Sequence, residues 1–121
     1  MKSPLALIVE DDPNLAAVFC AAVRDAGFAT EAILDGSLAL DRIKSVLPRV
    51  VILNINSMED TGLALLKRIR ADQRLLFTSV VVTTCETSIQ EQVCEIADLV
   101  LLQPISFWQL RDVAAALFSI N

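Results

Sequence analysis

Four short runs carry most of the apolar character of this chain: Leu5–Val9 (LALIV), Val50–Leu53 (VVIL), Val80–Val82 (VVV, running into Thr83) and Leu99–Leu102 (LVLL). None alternates apolar with polar residues, so a strand built from any of them has no face to give to water. Such strands need helices on both sides. A weaker strand, Ala29–Ile33, lies between the first two runs. Helical periodicities fill the intervals. Asp12 can cap a helix beginning at Pro13, with Leu15, Val18, Phe19, Ala22 and Val23 as its apolar stripe and Gly27 as its left-handed stop. Ser37–Val46 is halted by Pro48, Thr61–Ala71 and the shorter Ser88–Ala97 follow, and Ser106 opens a last helix through Leu110, Val113, Ala114 and Leu117. Strand and helix thus alternate five times, which predicts an α/β fold with a doubly wound parallel sheet, as one domain over 1–121.

A hydrophobic content of 55% and a mean hydropathy of +0.58 raise the question of a membrane. No apolar run approaches the roughly 18–20 residues a spanning helix needs. The N-terminus, MKSPLALIVEDDP, turns acidic after five apolar residues and does not read as a signal peptide. A net charge of −5 argues against a nucleic-acid surface, and the absence of histidine removes His-based triads, His-ligated metals and phosphohistidine chemistry. Cys20, Cys85 and Cys94 show no CxxC spacing and read as buried free thiols of a cytoplasmic protein. Lys67, Arg68 and Arg70 read as a solvated helix face.

In a doubly wound sheet, function gathers just past the carboxyl ends of the strands. After the first strand stand Glu10, Asp11 and Asp12. With Asp12 assigned as a cap, Glu10 and Asp11 remain, either as a solvated acidic turn or as a site for a hard cation such as Mg²⁺. Asn54 ends the VVIL run and is expected in the same crevice, followed by Asn56. Thr84 ends the fourth strand, and Gln103-Pro104 ends the fifth in a fixed turn compatible with a cis bond.

Taken together, these segments resemble the response-regulator receiver domain (CheY-like) from end to end. LIVEDDPN is similar to that family's first strand and acidic pair, VVILNINSMEDTGLALLKRIR to its third strand, acceptor loop and third helix, and VVVTTC and ADLVLLQPIS to its last two strands. Thr84 lies 30 residues after Asn54, the family's spacing between acceptor and switch hydroxyl. The resemblance implies a flavodoxin-like (βα)5 fold with strand order 2-1-3-4-5 and a role in two-component signalling, in a phosphorelay.

The chain departs from the family where the chemistry is done. The acceptor aspartate is Asn54, the phosphoryl-contacting lysine is Gln103, the loop proline is Met58 and the aromatic switch residue is Val100. A neutral amide cannot form the acyl phosphate that a carboxylate forms. Glu10 and Asp11 with two neutral amides carry the same −2 as three carboxylates with one lysine, so the two losses offset each other. They also permit an Asn54–Gln103 amide hydrogen bond. A change confined to the acceptor would have left the lysine, so Asn54 is read as the chain's own residue.

The expected function is therefore that of a non-phosphorylatable pseudo-receiver, not an enzyme, acting through protein–protein interaction with an output domain, a histidine kinase or another regulator. The alternative is a Mg²⁺-dependent phosphotransfer receiver using Glu10 or Asp11 as substitute acceptor. A flavin- or nucleotide-binding protein is disfavoured, because Gly27, Gly36 and Gly62 are isolated and form no phosphate loop. Glu10, Asp11 and Asn56 form at most a weak or vestigial Mg²⁺ site, with no other cofactor expected. Val100, Trp108 and Phe118 are candidates for an apolar docking or homodimer face.

Overall fold

The computed structural model describes residues 3–56 and 61–120. Five strands, β1 (Leu5–Val9), β2 (Ala29–Ile33), β3 (Val50–Asn54), β4 (Ser79–Thr84) and β5 (Leu99–Leu102), alternate with five helices. These are α1 (Pro13–Asp25), α2 (Ala39–Val46), α3 (Thr61–Ala71), α4 (Thr87–Val93) and α5 (Phe107–Phe118). All strand pairs are parallel, in the order β2-β1-β3-β4-β5. The reversal of strand order beside β1 opens a crevice at the carboxyl ends of β1 and β3, where Glu10 and Asn54 stand.

Continuous apolar strands are used here on both faces. Leu7, Val9, Val51, Leu53, Val80 and Val82 join one core with Ile43, Leu66, Ile69 and Ile89 from the α2, α3 and α4 side. Their alternates Ala6, Ile8, Val50, Ile52 and Val81 join a second core with Phe19, Val23, Leu110 and Ala114 of α1 and α5. Each fully buried leucine or isoleucine stabilises the fold by roughly 1.5–3 kcal/mol.

The helix signals act as expected at most ends. The Asp12 carboxylate accepts from the N–H groups of Asn14 (2.9 Å) and Leu15 (3.3 Å), Pro13 opens α1, and Ser106 Oγ accepts from Gln109 N–H at 3.0 Å to cap α5. Gly27 has φ +117° just past α1. A Cβ there would also lie 2.7 Å from Cε2 of Phe118, so both backbone and space require glycine. Leu47 ends α2 at φ 48° without that freedom, directly before Pro48.

Several expectations need correction. In α1 the buried residues include Ala16 and Cys20, whereas Val18 is exposed, because the helix turns its small residues to the sheet and α5. The expected helix from Ser37 begins instead as a 3-10 turn, Gly36–Leu38, with Asp35 accepting from Ser37 N–H at 2.9 Å. The fourth helix stops at Val93, short of Ala97. Arg70 Nε donates to the Ile96 carbonyl (2.6 Å) and Asp98 N–H bonds the Val80 carbonyl (2.9 Å), which pulls the chain out of the helix and into β5. Arg70 also bonds the Thr78 carbonyl and pairs with Asp98, so it ties elements together instead of lying on a solvated face. Of the cysteines only Cys20 is buried.

Candidate functional site

A cleft of about 280 Å³ opens at the switch in strand order. Glu10, Asp11, Asn54 and Asn56 line it, as the strand ends predict, together with Asp35 and Thr61. Its inner wall is Val9, Leu53 and Leu65.

Glu10 is the centre of this site. Its N–H donates to the Ile33 carbonyl at 3.1 Å, which fixes the residue in register beyond β1 and folds its side chain inward until only 3% of the residue is exposed. Oε2 accepts from Asp12 N–H at 3.1 Å and from Asn54 Nδ2 at 3.2 Å. Oε1 is buried with no hydrogen-bond partner among the described residues. Burial pushes the Glu10 carboxyl from 4.5 up to about 7, and the neighbouring Asp11 carboxyl adds to the rise. The Asp12 N–H and the Asn54 amide pull in the other direction. Desolvation wins, so the side chain gains and loses a proton around neutrality.

Asn54 is half-buried at the last position of β3. Its nitrogen is committed to Glu10, and Oδ1 is buried without a partner among the described residues. Gln103 is anchored through its backbone N–H to the Thr84 carbonyl at 2.8 Å, while its Nε2 is likewise buried and unpaired. The Asn54–Gln103 hydrogen bond permitted by the sequence is not formed: Oδ1 of Asn54 and Nε2 of Gln103 each stand without a partner among the described residues, and the Asn54 nitrogen meets Glu10 instead. Thr84 is fully buried, and its Oγ1 accepts from Glu86 N–H at 3.2 Å across the turn into α4. Gln103 precedes Pro104 through a cis peptide bond. Neither Thr84 nor Gln103 lines the cleft. The cleft thus gathers Glu10, Asp11, Asn54 and Asn56, while Thr84, Gln103 and Pro104 stand at the carboxyl ends of the next strands, β4 and β5. Met58 lies outside the described residues.

Asp35 is the residue that sequence reasoning passes over. The rule that function sits after each strand reaches it, two positions past β2, but the mixed polarity of Ala29–Ile33 makes that strand the least conspicuous. Among the described residues no group of three or more His, Cys, Asp or Glu is arranged to hold a metal ion.

The three apolar candidates for a docking face occupy different surroundings. Trp108 is 66% exposed and stacks edge-on against Phe107 at 4.8 Å. Val100 is half-buried against the core of the α2–α4 side. Phe118 packs its edge against Phe28 at 5.4 Å, near the opposite end of α5.

With this geometry in place, similarity to known proteins is decisive. The sequence pattern of the response regulator receiver domain matches residues 6–114. The chain belongs to the response-regulator receiver domain family. Its receiver fold is shared by the chemotaxis response regulator CheY4 of Vibrio cholerae, at 23% identity and a TM-score of 0.84 over 96% of this chain and 99% of that one. It is also shared by a CheY-like receiver domain from Methylobacillus flagellatus, at 26% identity and a TM-score of 0.82 over 96% and 99%. The DNA-binding response regulator MtrA of Mycolicibacterium smegmatis is 36% identical over 66 residues, which are 54% of this chain and 29% of that protein. The chain thus spans less than a third of the length of that relative. As a receiver, it is a module of two-component signal transduction. No helix among the described residues is long and apolar enough to cross a membrane.

Proposed function

We propose that this receiver takes no phosphoryl group at the end of β3 and signals through protein–protein contact alone. The observation that carries the reading is the Asn54 amide, which donates to Glu10 at the position where the family presents a nucleophilic carboxylate. An amide offers no anionic oxygen to attack phosphorus, and its nitrogen is already engaged. The lysine position is Gln103, so no fixed cation supports a developing phosphoryl charge.

Glu10 and Asp11, with the Asn56 carbonyl, are the residues that would hold Mg²⁺, and the buried, unpaired Glu10 Oε1 is the kind of oxygen a hard cation takes. Bound there, Mg²⁺ would supply charge neutralisation for phosphoryl oxygens. With only two carboxylates the affinity is low. Glu10 is a poor substitute acceptor, because burial keeps much of it protonated near neutral pH and Oε2 already holds two donors.

Partners of this module are an output domain, a histidine kinase or another regulator in the cytoplasm. Of the three residues considered for a docking or homodimer face, Trp108 is the most open, whereas Val100 is half-buried and Phe118 stands near the opposite end of α5. The acidic balance disfavours direct contact with nucleic acid.

Incubation with Mg²⁺ and acetyl phosphate, read by intact-protein mass, tests the proposal. An unchanged mass is expected, and a stoichiometric phosphoryl adduct overturns it.

A further inference from the structure

The cleft does not end at the acidic residues. Leu34 and Asp35 line it on one side and, on their other side, line an open groove of about 640 Å³ between the β2 edge and α2. Leu34 and Leu38 are exposed along this groove, at 47% and 65%, with Ile33 at its base. Among the described residues β2 pairs with β1 alone and forms one edge of the sheet. The Ala29 N–H and the Ile33 carbonyl both point to the β1 side, which leaves the alternate residues Thr30 and Ala32 facing the open edge.

The charges on this continuous surface are one-sided. Glu10, Asp11 and Asp35 stand in the cleft and Asp41 on the groove. Arg42 is the cation of the groove, and its Nε and Nη2 are already spent on Glu31 at 2.7 and 2.8 Å. The N-terminus of α3 offers about half a positive charge to the cleft, less than the carboxylates facing it. At the cleft's inner end stands Glu10, almost wholly buried, whose Oε1 has no hydrogen-bond partner among the described residues. An acidic pocket with an unsatisfied buried acceptor, joined to an apolar groove beside a free strand edge, has a defined complement.

We infer that this surface docks an extended segment of a partner protein, placing an arginine side chain in the Glu10–Asp11–Asp35 cleft and apolar side chains over Leu34 and Leu38. A guanidinium fits better than an ammonium because its planar fork can serve two carboxyl groups at once. This rests on the proposed function, since a phosphorylated or metal-filled cleft would leave no room for the arginine. The surface lies away from Trp108 on α5.

The test uses the whole chain, followed through its backbone amide resonances. The probes are acetyl-Arg-Ser-Leu-Leu-amide, the same peptide in reversed order, a citrulline version that keeps the shape without the charge, and an Arg-Ser-Ala-Ala version. At least one of the two arginine–leucine peptides is expected to shift Leu34, Asp35 and Leu38 together with Asn54 and Asn56, saturably below about 1 mM. Citrulline in place of arginine should weaken binding about tenfold, and each of Leu38→Ser and Asp35→Asn about fivefold, as the loss of a charge-assisted or apolar contact predicts. Trp108→Ala should leave it unchanged. The inference is overturned by equal affinity for the citrulline or alanine peptide, by the same shifts with spermidine or Mg²⁺ alone, or by shifts confined to the Trp108 face. Absence of any shift at that concentration also overturns it. A phosphoryl adduct in the mass experiment, with peptide binding intact in the unmodified protein, would overturn the proposed function and leave this docking surface standing.

Discussion

The Nδ2 amide of Asn54 lies 3.2 Å from Oε2 of Glu10, so the residue at the acceptor position serves as a hydrogen-bond donor to the acidic pair. A carboxylate placed there would reverse the sign of the contact. At that separation two unit charges repel by roughly 5 kcal/mol at an effective dielectric of 20, and proton uptake by Glu10 would relieve part of it.

Asn54→Asp should therefore destabilise the metal-free protein at pH 8 by about 2 kcal/mol, and Mg²⁺ should recover most of the loss by completing three carboxylates. Urea denaturation with EDTA and with Mg²⁺ measures both effects. Equal stability of the two proteins in EDTA would contradict the geometry.

The raised Glu10 carboxyl gives folding a pH dependence of predictable sign. Its value is 4.5 in an ordinary environment and about 7 in the fold, so the folded chain holds this proton more tightly. Stability from this group is complete below about pH 4.5 and declines as pH rises through 7, by at most about 3 kcal/mol. Glu31, Asp35 and Asp72 are shifted down by their partners and act oppositely at lower pH. The diagnostic quantity is thus a difference: Glu10→Gln should flatten the slope between pH 4.5 and 7.5 in metal-free buffer. A variant whose slope matches the parent's would remove Glu10 as its source.

At Gly27, an alanine meets both the positive φ of +117° and the Phe118 ring at 2.7 Å. Gly27→Ala is expected to cost about 2–3 kcal/mol, combining backbone strain with overpacking. Adding Phe118→Leu should recover part of the packing loss but not the strain, which thermal denaturation of the single and double variants would separate.

Arg49 closes the far end of α5. Its Nη2 reaches the carbonyls of Leu117 (3.0 Å), Phe118 (2.7 Å) and Ile120 (2.5 Å), while the guanidinium lies 5.7 and 5.8 Å from the rings of Phe28 and Phe118. Replacement by alanine should lower stability by about 2 kcal/mol, with lysine restoring less than half. Amide exchange should accelerate in the last turn of α5 well before it does in β3. Uniform acceleration would mean that Arg49 supports the whole fold and not this terminus.

What the sequence made legible follows from burial. LALIV, VVIL and LVLL announce a two-sided sheet because no other placement keeps every one of those side chains from water. Glu10, Asp11 and Asn54 were found because polar residues at the ends of such strands are conspicuous. Asp35 was not, since Ala29–Ile33 is an edge strand whose polarity matches its exposure. The partner chosen by the Asn54 amide was also hidden. Spacing brings Glu10, Asn54 and Gln103 to one end of the sheet, but only the inward fold of Glu10 decides which of them the amide meets. In α1, residue type suggested Val18 for the interior, yet close packing on the sheet and α5 selects Ala16 and Cys20.

The sheet also works as a partition wall. Val9, Leu53 and Leu65, which back the cleft, all belong to the core on the α2–α4 side, whereas α1 and α5 share the other. Substitutions in α2, α3 or α4 and substitutions in α1 or α5 stand on opposite sides of the strands, so their energetic effects should add to within about 0.5 kcal/mol. Changes to the layer that holds the cleft and the groove therefore leave the Phe19, Val23, Leu110 and Ala114 packing on the opposite face untouched.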